Sequence, residues 1–460
     1  MQTGLLSTYK SNVRTRGSWA YLLSFVLFAF YVVIYWTSLF DPVAKAIGLP
    51  SRWQIYGILY TVAIIVGGIY FLKLHGNSRY HLLRTLSIIF FQVIFAFALP
   101  STMELLNMKS FTFSTFWPLK IDYFYPSYIL EYPLPLIVYA AFSSLVLVPV
   151  LTFWYGKRWY CSWVCGCGGL AETAGDSFRH LSSKSTRAWR LEKISIYSVL
   201  AFAVIGTALV IINWSTALTL HGAYSGGDRL MTIGDDRLKF PLGGKTIWQR
   251  EILPADSDDE QVRWRPVASE PDVGHPGTQT GTRLILTSEG VYLISGSDDK
   301  MATVVDRSDG KTTTTTFELS VPRFPLFSKF VSKVQGMYAF VVVALLSGIL
   351  GVGLYPLLGN RVWCRFFCPL AGLMGLIQKF GRFRITVKDD MCISCGNCST
   401  YCEMGIDVRM YAQSNLDFKR AACVGCGICA HVCPRGVLRL ENKFDMSPFS
   451  SISNIRTTDI

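Results

Sequence analysis

Charge is the first thing this chain has little of. Asp, Glu, Lys and Arg make up 16% of its 460 residues, beside 51% hydrophobic and 14% aromatic residues, whereas a soluble domain carries roughly 25% charged residues. A deficit of that size excludes an ordinary water-soluble protein and implies long segments buried in lipid. No Cys-x-x-Cys-His occurs, which argues against c-type haem attachment. Histidine avoids the interior of every apolar run: His75, His81, His180 and His221 fall in loops or at run ends, so paired axial ligands for a membrane b haem are disfavoured. Nor does an ionisable residue sit deep in a run to mark a proton or ion path. The net charge is +13, yet no nucleic-acid module accompanies it. Its Lys and Arg gather in short segments between apolar runs, the pattern of membrane orientation.

Six runs are long enough to cross about 30 Å of hydrocarbon: 19–40, 53–72, 85–106, 132–155, 194–214 and 334–358. The first is longer than a signal-peptide core and lacks a small-residue cleavage site, so it reads as an uncleaved helix. In the third, Pro100 and Glu104 fall near the end, where proline is tolerated and a carboxylate meets the interface. The N-terminal segment, 73–84, 156–193 and 359–390 carry 3, 3, 7 and 6 Lys or Arg, while 41–52 and 107–131 carry 2 each. By the positive-inside rule both termini lie in the cytoplasm of a bacterial inner membrane. All 13 cysteines then fall on the cytoplasmic side, where thiols stay reduced.

What is abundant is cysteine in a fixed rhythm. Between Cys392 and Pro434 the spacing x2, x2, x3 occurs twice: C-I-S-C-G-N-C-S-T-Y-C and C-V-G-C-G-I-C-A-H-V-C-P. A [4Fe–4S] cube needs four thiolates, and in two-cluster ferredoxins the fourth Cys of each run ligates the other cluster. The expected sets are Cys392, Cys395, Cys398 and Cys433 for one cluster, with Cys423, Cys426, Cys429 and Cys402 for the other. Gly396, Gly425 and Gly427 let the backbone wrap a cube and aim N–H groups at its sulfurs. Zinc sites use four ligands and leave the third Cys and the x3 spacing unexplained. Pro434 follows the last Cys, whereas Glu403 occupies that place after Cys402. His431 and Tyr401, between ligands, are expected to pack against the clusters or tune them.

A second repeat precedes this region. G-K-R-W-Y-C-S-W-V-C (156–165) matches G-N-R-V-W-C-R-F-F-C (359–368), and the register continues through Gly169-Leu170 and Gly372-Leu373. Two Cys four apart would share a helix face, so Cys161, Cys165, Cys364 and Cys368 are expected to converge beneath the membrane, with Cys167 as a spare. The functional readings are a further metal or iron–sulfur centre or a redox-active thiol pair; the alternative is a set of structural thiols among aromatic interface anchors. Arg158 and Arg361 read as anchors at the level of the phospholipid headgroups. Basic residues around the ferredoxin runs, Arg382, Arg384, Lys388, Lys419, Arg420, Arg435 and Arg439, suit either steering of an acidic electron donor or contact with anionic lipid.

The 215–333 segment, rich in Gly, Asp and Thr, should lie outside the cytoplasm as a small β domain, with strands around 282–295 and 312–320 and turns at Glu289-Gly290 and Asp309-Gly310. Asp256, Asp258, Asp259 and Glu260 read as a solvated acidic turn rather than a cation site.

The run R-V-W-C-R-F-F-C-P-L-A-G (361–372), followed after a basic link by two ferredoxin runs, resembles the membrane polyferredoxins exemplified by the nitrous-oxide-reductase electron donor NosR and the nitrate-reductase quinol dehydrogenase subunit NapH. The likeness extends from about residue 132 onward and leaves out the 215–333 segment. In that family both short motifs usually read CxxxCP; here Cys165 is followed by Gly166 and Cys167. The resemblance implies electron transfer linking quinol, or a cytoplasmic donor, to an exported acceptor. The fold expected is an all-α polytopic membrane protein of six helices (1–214 and 334–390), a cytoplasmic α+β domain for two [4Fe–4S] clusters (391–445), a β-rich extracytoplasmic domain (215–333) and a tail (446–460). Alternative readings are a reductase that matures another protein's metal centre and a membrane redox sensor.

Overall fold

The computed structural model describes residues 18–216 apart from 50, 77 and 107, the backbone of nine strands between 218 and 321, and residues 324–442. The chain divides into two compact units, Met1–Ala208 with Gln335–Ile460, and Leu209–Val334.

Six helices are long and apolar enough to span a membrane: α1 (Trp19–Trp36), α2 (Arg52–His75), α3 (Arg79–Leu105), α4 (Leu134–Tyr155), α6 (Thr186–Ser215) and α7 (Leu326–Val352). Between α4 and α6 lies a short helix, α5 (Gly166–Glu172). Leu59, Val62, Val66 and Ile69 of α2, and Ile194, Val204 and Ile205 of α6, point outward. Such faces are stable only against lipid, which the low charge content already implied. Three spans contain wide π turns, at Phe91–Ala98, Ser143–Leu147 and Ala339–Val352, a feature often found where a helix is opened for function.

Helix α3 starts earlier than the apolar run suggested, so Arg84, completely buried, belongs to a spanning helix. Arg84 stands in the second turn of α3, near the end of the span; ion pairing, described below, is what makes its burial tolerable. Glu104, at the other end of α3, accepts from Gln54 Nε2 at 3.1 Å.

The two cysteine-bearing repeats do not stay outside the bundle. Each begins at a glycine with positive φ, Gly156 (+68°) and Gly359 (+104°), at matching positions. Only glycine takes this conformation without strain, and it reverses the chain at the end of the helix before it. The first repeat then runs back between α2 and α3. A Cβ on Gly166 would lie 2.5 Å from the Tyr60 hydroxyl and 2.6 Å from Gln92 Oε1, and one on Gly67 would lie 2.4 Å from Ala174 N. Tyr60 and Gln92 are interior residues of α2 and α3. In the second repeat, Trp363 is buried and its Cβ would be 3.0 Å from a Cβ on Gly351 of α7.

From the opposite side, the 107–131 loop also enters the bundle. Trp117 donates from its backbone N to Ser144 Oγ of α4 and from Nε1 to Thr207 Oγ1 of α6, each at 3.1 Å. Tyr160, in the first repeat, donates to the Ser114 carbonyl at 2.8 Å. The two re-entrant segments therefore meet inside the helices. An aromatic core around Phe111, Tyr123 and Tyr132 supports the loop, with Phe111 and Tyr123 stacked at 4.8 Å.

After the second repeat come α8 (Pro369–Phe380) and a small domain framed by an antiparallel pair, Phe383–Val387 and Leu438–Asn442. In the other unit, β1 (Leu218–Ser225), β2 (Leu230–Ile233), β3 (Asp236–Lys239), β4 (Thr246–Ile252), β5 (Val262–Ser269) and β9 (Thr314–Val321) form a six-stranded sheet, order β5-β4-β3-β2-β1-β9, and β6 (Arg283–Thr287), β7 (Gly290–Ile294) and β8 (Met301–Val304) a three-stranded one, order β6-β7-β8. The strands expected near 282–295 and 312–320 are present as Arg283–Thr287, Gly290–Ile294 and Thr314–Val321. The acidic group Asp256, Asp258, Asp259 and Glu260 and the turn at Asp309-Gly310 lie outside the described residues.

Candidate functional site

In the ferredoxin region, Cys392, Cys395, Cys398 and Cys433 line one cavity, with Arg409, Pro434 and Val437 in its walls. Val437 N donates to Cys433 Sγ at 3.4 Å. The second run mirrors the first: Cys402 lies within electrostatic reach of Cys423 and Cys429. In each run the glycine after the second Cys, Gly396 (+80°) or Gly427 (+83°), opens the short helix that carries the third. Burial pushes the Cys398 thiol up to about 12 and the Cys423 thiol up to about 11. Thiols gathered in this way, with an N–H group aimed at the Cys433 sulfur, fit an iron–sulfur cube, which takes them up as thiolates.

Of the other residues singled out from the sequence, Tyr401 is exposed and His431 packs its ring 4.9 Å from His81 and 5.5 Å from His75. Arg382 lies over Trp154, Arg420 over Trp189, and Lys419 donates to the Gly381 carbonyl. Those three brace the domain, and Lys388, Arg435 and Arg439 remain exposed.

The repeat cysteines come together. Cys161 lies within electrostatic reach of Cys165 and Cys364, and Cys368 within reach of Cys364, Cys165 and Cys161. Cys167 lies within electrostatic reach of Cys165, Cys364 and Cys368. Cys161, Cys165, Cys364 and Cys368 are all buried. The expectation that each pair shares a helix face is corrected: Cys161 closes a four-residue helix, whereas Cys165 and Cys368 stand in extended backbone immediately before α5 and α8. Ala371 N donates to Cys368 Sγ at 3.4 Å. The N-terminus of α8 thus presents an N–H group to this thiol cage, an arrangement that favours anionic sulfur. Gly166, next to Cys165, packs between α2 and α3 at the level of Tyr60 and Gln92.

Close packing holds the two repeats together. A Cβ on Gly168 would come 1.8 Å from the Cys161 carbonyl oxygen, so only glycine fits. That carbonyl accepts from Arg361 Nη1 of the other repeat at 3.1 Å, and the same nitrogen lies 3.7 Å from Cys364 Sγ. Arg361 is 1% exposed, which corrects its reading as a headgroup anchor. Its Nη2 meets Glu172 Oε1 at 2.5 Å and Glu403 Oε1 at 3.1 Å. Arg158 is no lipid anchor either: its guanidinium sits 4.9 Å over the Phe383 ring.

Glu172 and Glu403, both fully buried, join this arginine to two others. Arg84 Nη1 meets Glu172 Oε2 at 2.7 Å and the Cys426 carbonyl at 2.6 Å. Arg179 reaches Glu172 Oε2 at 3.3 Å, Glu403 Oε2 at 2.9 Å and Asp176 Oδ1 at 2.8 Å, and its Nη1 lies 3.6 Å from Cys426 Sγ. Three guanidinium groups face three carboxylates, which is how so many charges tolerate burial. Asn360 Nδ2 adds a contact to Glu403 at 3.3 Å. Sequence reasoning missed Glu172, Arg179 and Arg84; its one pointer was Glu403 standing where the motif has proline.

Residues 385–440 match the family described as 4Fe-4S dicluster domain, and 137–185 and 338–388 each match the family described as 4Fe-4S binding domain. The second family therefore covers both halves of the thiol cage. Over 49 residues the chain is 37% identical to the protein YccM of Escherichia coli (strain K12), whose description assigns it provisionally to electron transport; the match spans 11% of this chain and 14% of that protein. No solved structure matches.

Proposed function

We propose that this chain is a membrane iron–sulfur electron-transfer protein that passes electrons between a quinone pool or cytoplasmic donor and a partner redox protein, using three cluster sites. Two are the ferredoxin sets, Cys392, Cys395, Cys398 and Cys433, and Cys423, Cys426, Cys429 and Cys402. The third is the cage of Cys161, Cys165, Cys364 and Cys368. Clusters bound there supply reversible one-electron oxidation and reduction.

The observation that carries this reading is the cage's place inside the helix bundle. A cofactor held only at the ferredoxin end would leave the rest of the bilayer without a relay. The buried thiols extend the ligand array to the level of Tyr60 and Gln92, where the 107–131 loop enters from the other side. The chain's own residues hold the thiols in position, with Arg361 tying one repeat to the other, and exclude water through the fully buried Trp363 and Tyr160. The four-thiol chemistry with adjacent N–H donors fits a cube, and Cys167 is available as a fifth thiol.

An anaerobic iron and sulfide count, paired with electron paramagnetic resonance during a redox titration, tests this. About twelve irons, four for each cube, are expected; about eight would restrict the wire to the ferredoxin domain. Quinol added as sole reductant should reduce the clusters if the pool is the donor, as the resemblance to quinol dehydrogenase subunits implies.

A further inference from the structure

The ion network between the thiol cage and the ferredoxin domain touches a ligand sulfur at each end. From Cys426 Sγ the path runs to Arg179 Nη1 (3.6 Å), from that nitrogen to Glu403 Oε2 (2.9 Å), across the carboxylate to Arg361 Nη2 (3.1 Å), and from the same guanidinium's Nη1 to Cys364 Sγ (3.7 Å). Glu172 closes a second route between the same two arginines, at 3.3 and 2.5 Å. Each guanidinium nitrogen at a sulfur has two hydrogens, so one serves the sulfur while the other serves Glu403 or the Cys161 carbonyl. Removing any one of these groups leaves the others with an unbalanced buried charge.

We propose that Arg179 and Arg361, yoked by Glu172 and Glu403, are positioning residues that set the reduction potentials of the cage centre and of the ferredoxin cluster held by Cys426, and couple the two. The proposal rests on the reading of the cage as a cluster site. An N–H donor or positive charge at a ligand sulfur stabilises the reduced, more negative state and raises the potential; a carboxylate behind it offsets that rise. Because both arginines share both carboxylates, a change at one end alters the charge balance at the other. Glu403, standing where the paired motif has proline, is what closes the yoke.

The test is a redox titration of the anaerobically purified full chain, followed by electron paramagnetic resonance, with iron counted on every sample. Arg361→Lys and Arg179→Lys remove the N–H fork and are expected to lower the potential of the adjacent centre. Glu172→Gln, nearly the same shape, is expected to raise both. A tenfold change in the equilibrium for reduction is expected at the adjacent centre, about 59 mV for a one-electron couple, with a smaller shift at the far one. Opposite signs matter, because simple loosening of the fold would not move the arginine and glutamine variants in opposite directions. Arg365→Lys is the control, since Arg365 pairs with Glu192 at 2.7 Å and donates to the Ser183 carbonyl. Unchanged potentials at full iron content, or equal shifts in Arg365→Lys, overturn the proposal. If the unaltered protein holds only the ferredoxin irons, the three-site reading fails, and with it the coupling. The effect of Arg179→Lys on the Cys426 cluster then still reports whether that arginine tunes a potential.

Discussion

Replacing Gly168 with alanine is the sharpest test of the cage. The added Cβ would sit 1.8 Å from the Cys161 carbonyl oxygen, 2.9 Å from its carbon and 3.0 Å from Arg361 Nη1. To reach ordinary contact at 3.4 Å, the oxygen must move by about 1.6 Å, and backbone cannot yield as the end of a flexible side chain does. Overpacking of this kind costs about 1–3 kcal/mol, and loss of the charged hydrogen bond from Arg361 about 1.5–3 kcal/mol more. Together these exceed what one loop can absorb in place, so Cys161 is expected to leave the cage. The assay is iron and sulfide per chain after anaerobic purification. Gly168→Ala should hold about four irons fewer than the unaltered protein, with the ferredoxin signals kept. Gly336→Ala, where the Cβ would meet nothing within 4 Å, should hold the full complement. A Gly168→Ala protein with full iron and an unchanged spectrum would refute the cage as drawn.

Cys395→Ala and Cys426→Ala should each remove one ferredoxin cluster and stop electron flow, because a cube short of a thiolate is labile; undiminished flux in either would sink the wire. Glu403→Pro, which restores the motif's usual residue, takes away the carboxylate shared by Arg179 and Arg361 and should cost about 3–5 kcal/mol; a melting temperature equal to that of the parent would count against the ion network. In the iron-free protein, burial raises the Cys423 and Cys398 thiols from 9.0 to about 11 and about 12. Their contribution to stability is therefore full below about pH 9 and lost as pH rises through those values, whereas iron-loaded protein, its thiolates already ligated, should lack this decline; melts of both forms across that range decide it. A reporter inserted within 253–261 should be active only outside the cytoplasm, and cytoplasmic activity would reverse the topology.

The sequence by itself determined whatever depends on neighbours along the chain. Apolar length announced six spans, and the x2, x2, x3 rhythm paired with a second copy announced a 4Fe-4S dicluster region because a cube dictates local loop geometry. The matched repeats at 156–165 and 359–368 announced that four thiols belong together. Their depth was another matter. Whether Gly156 and Gly359 turn the chain away from the bundle or back into it depends on what space α2, α3 and α7 leave open, and no local pattern encodes that. The same holds for Arg361, which by composition is one more basic residue beside an apolar run. Only the fold brings Glu172 and Glu403, 231 residues apart in numbering (403 − 172), to the same guanidinium. Burial changes a charge from a solvated anchor into a partner that must be matched, and burial is a property of the tertiary structure alone.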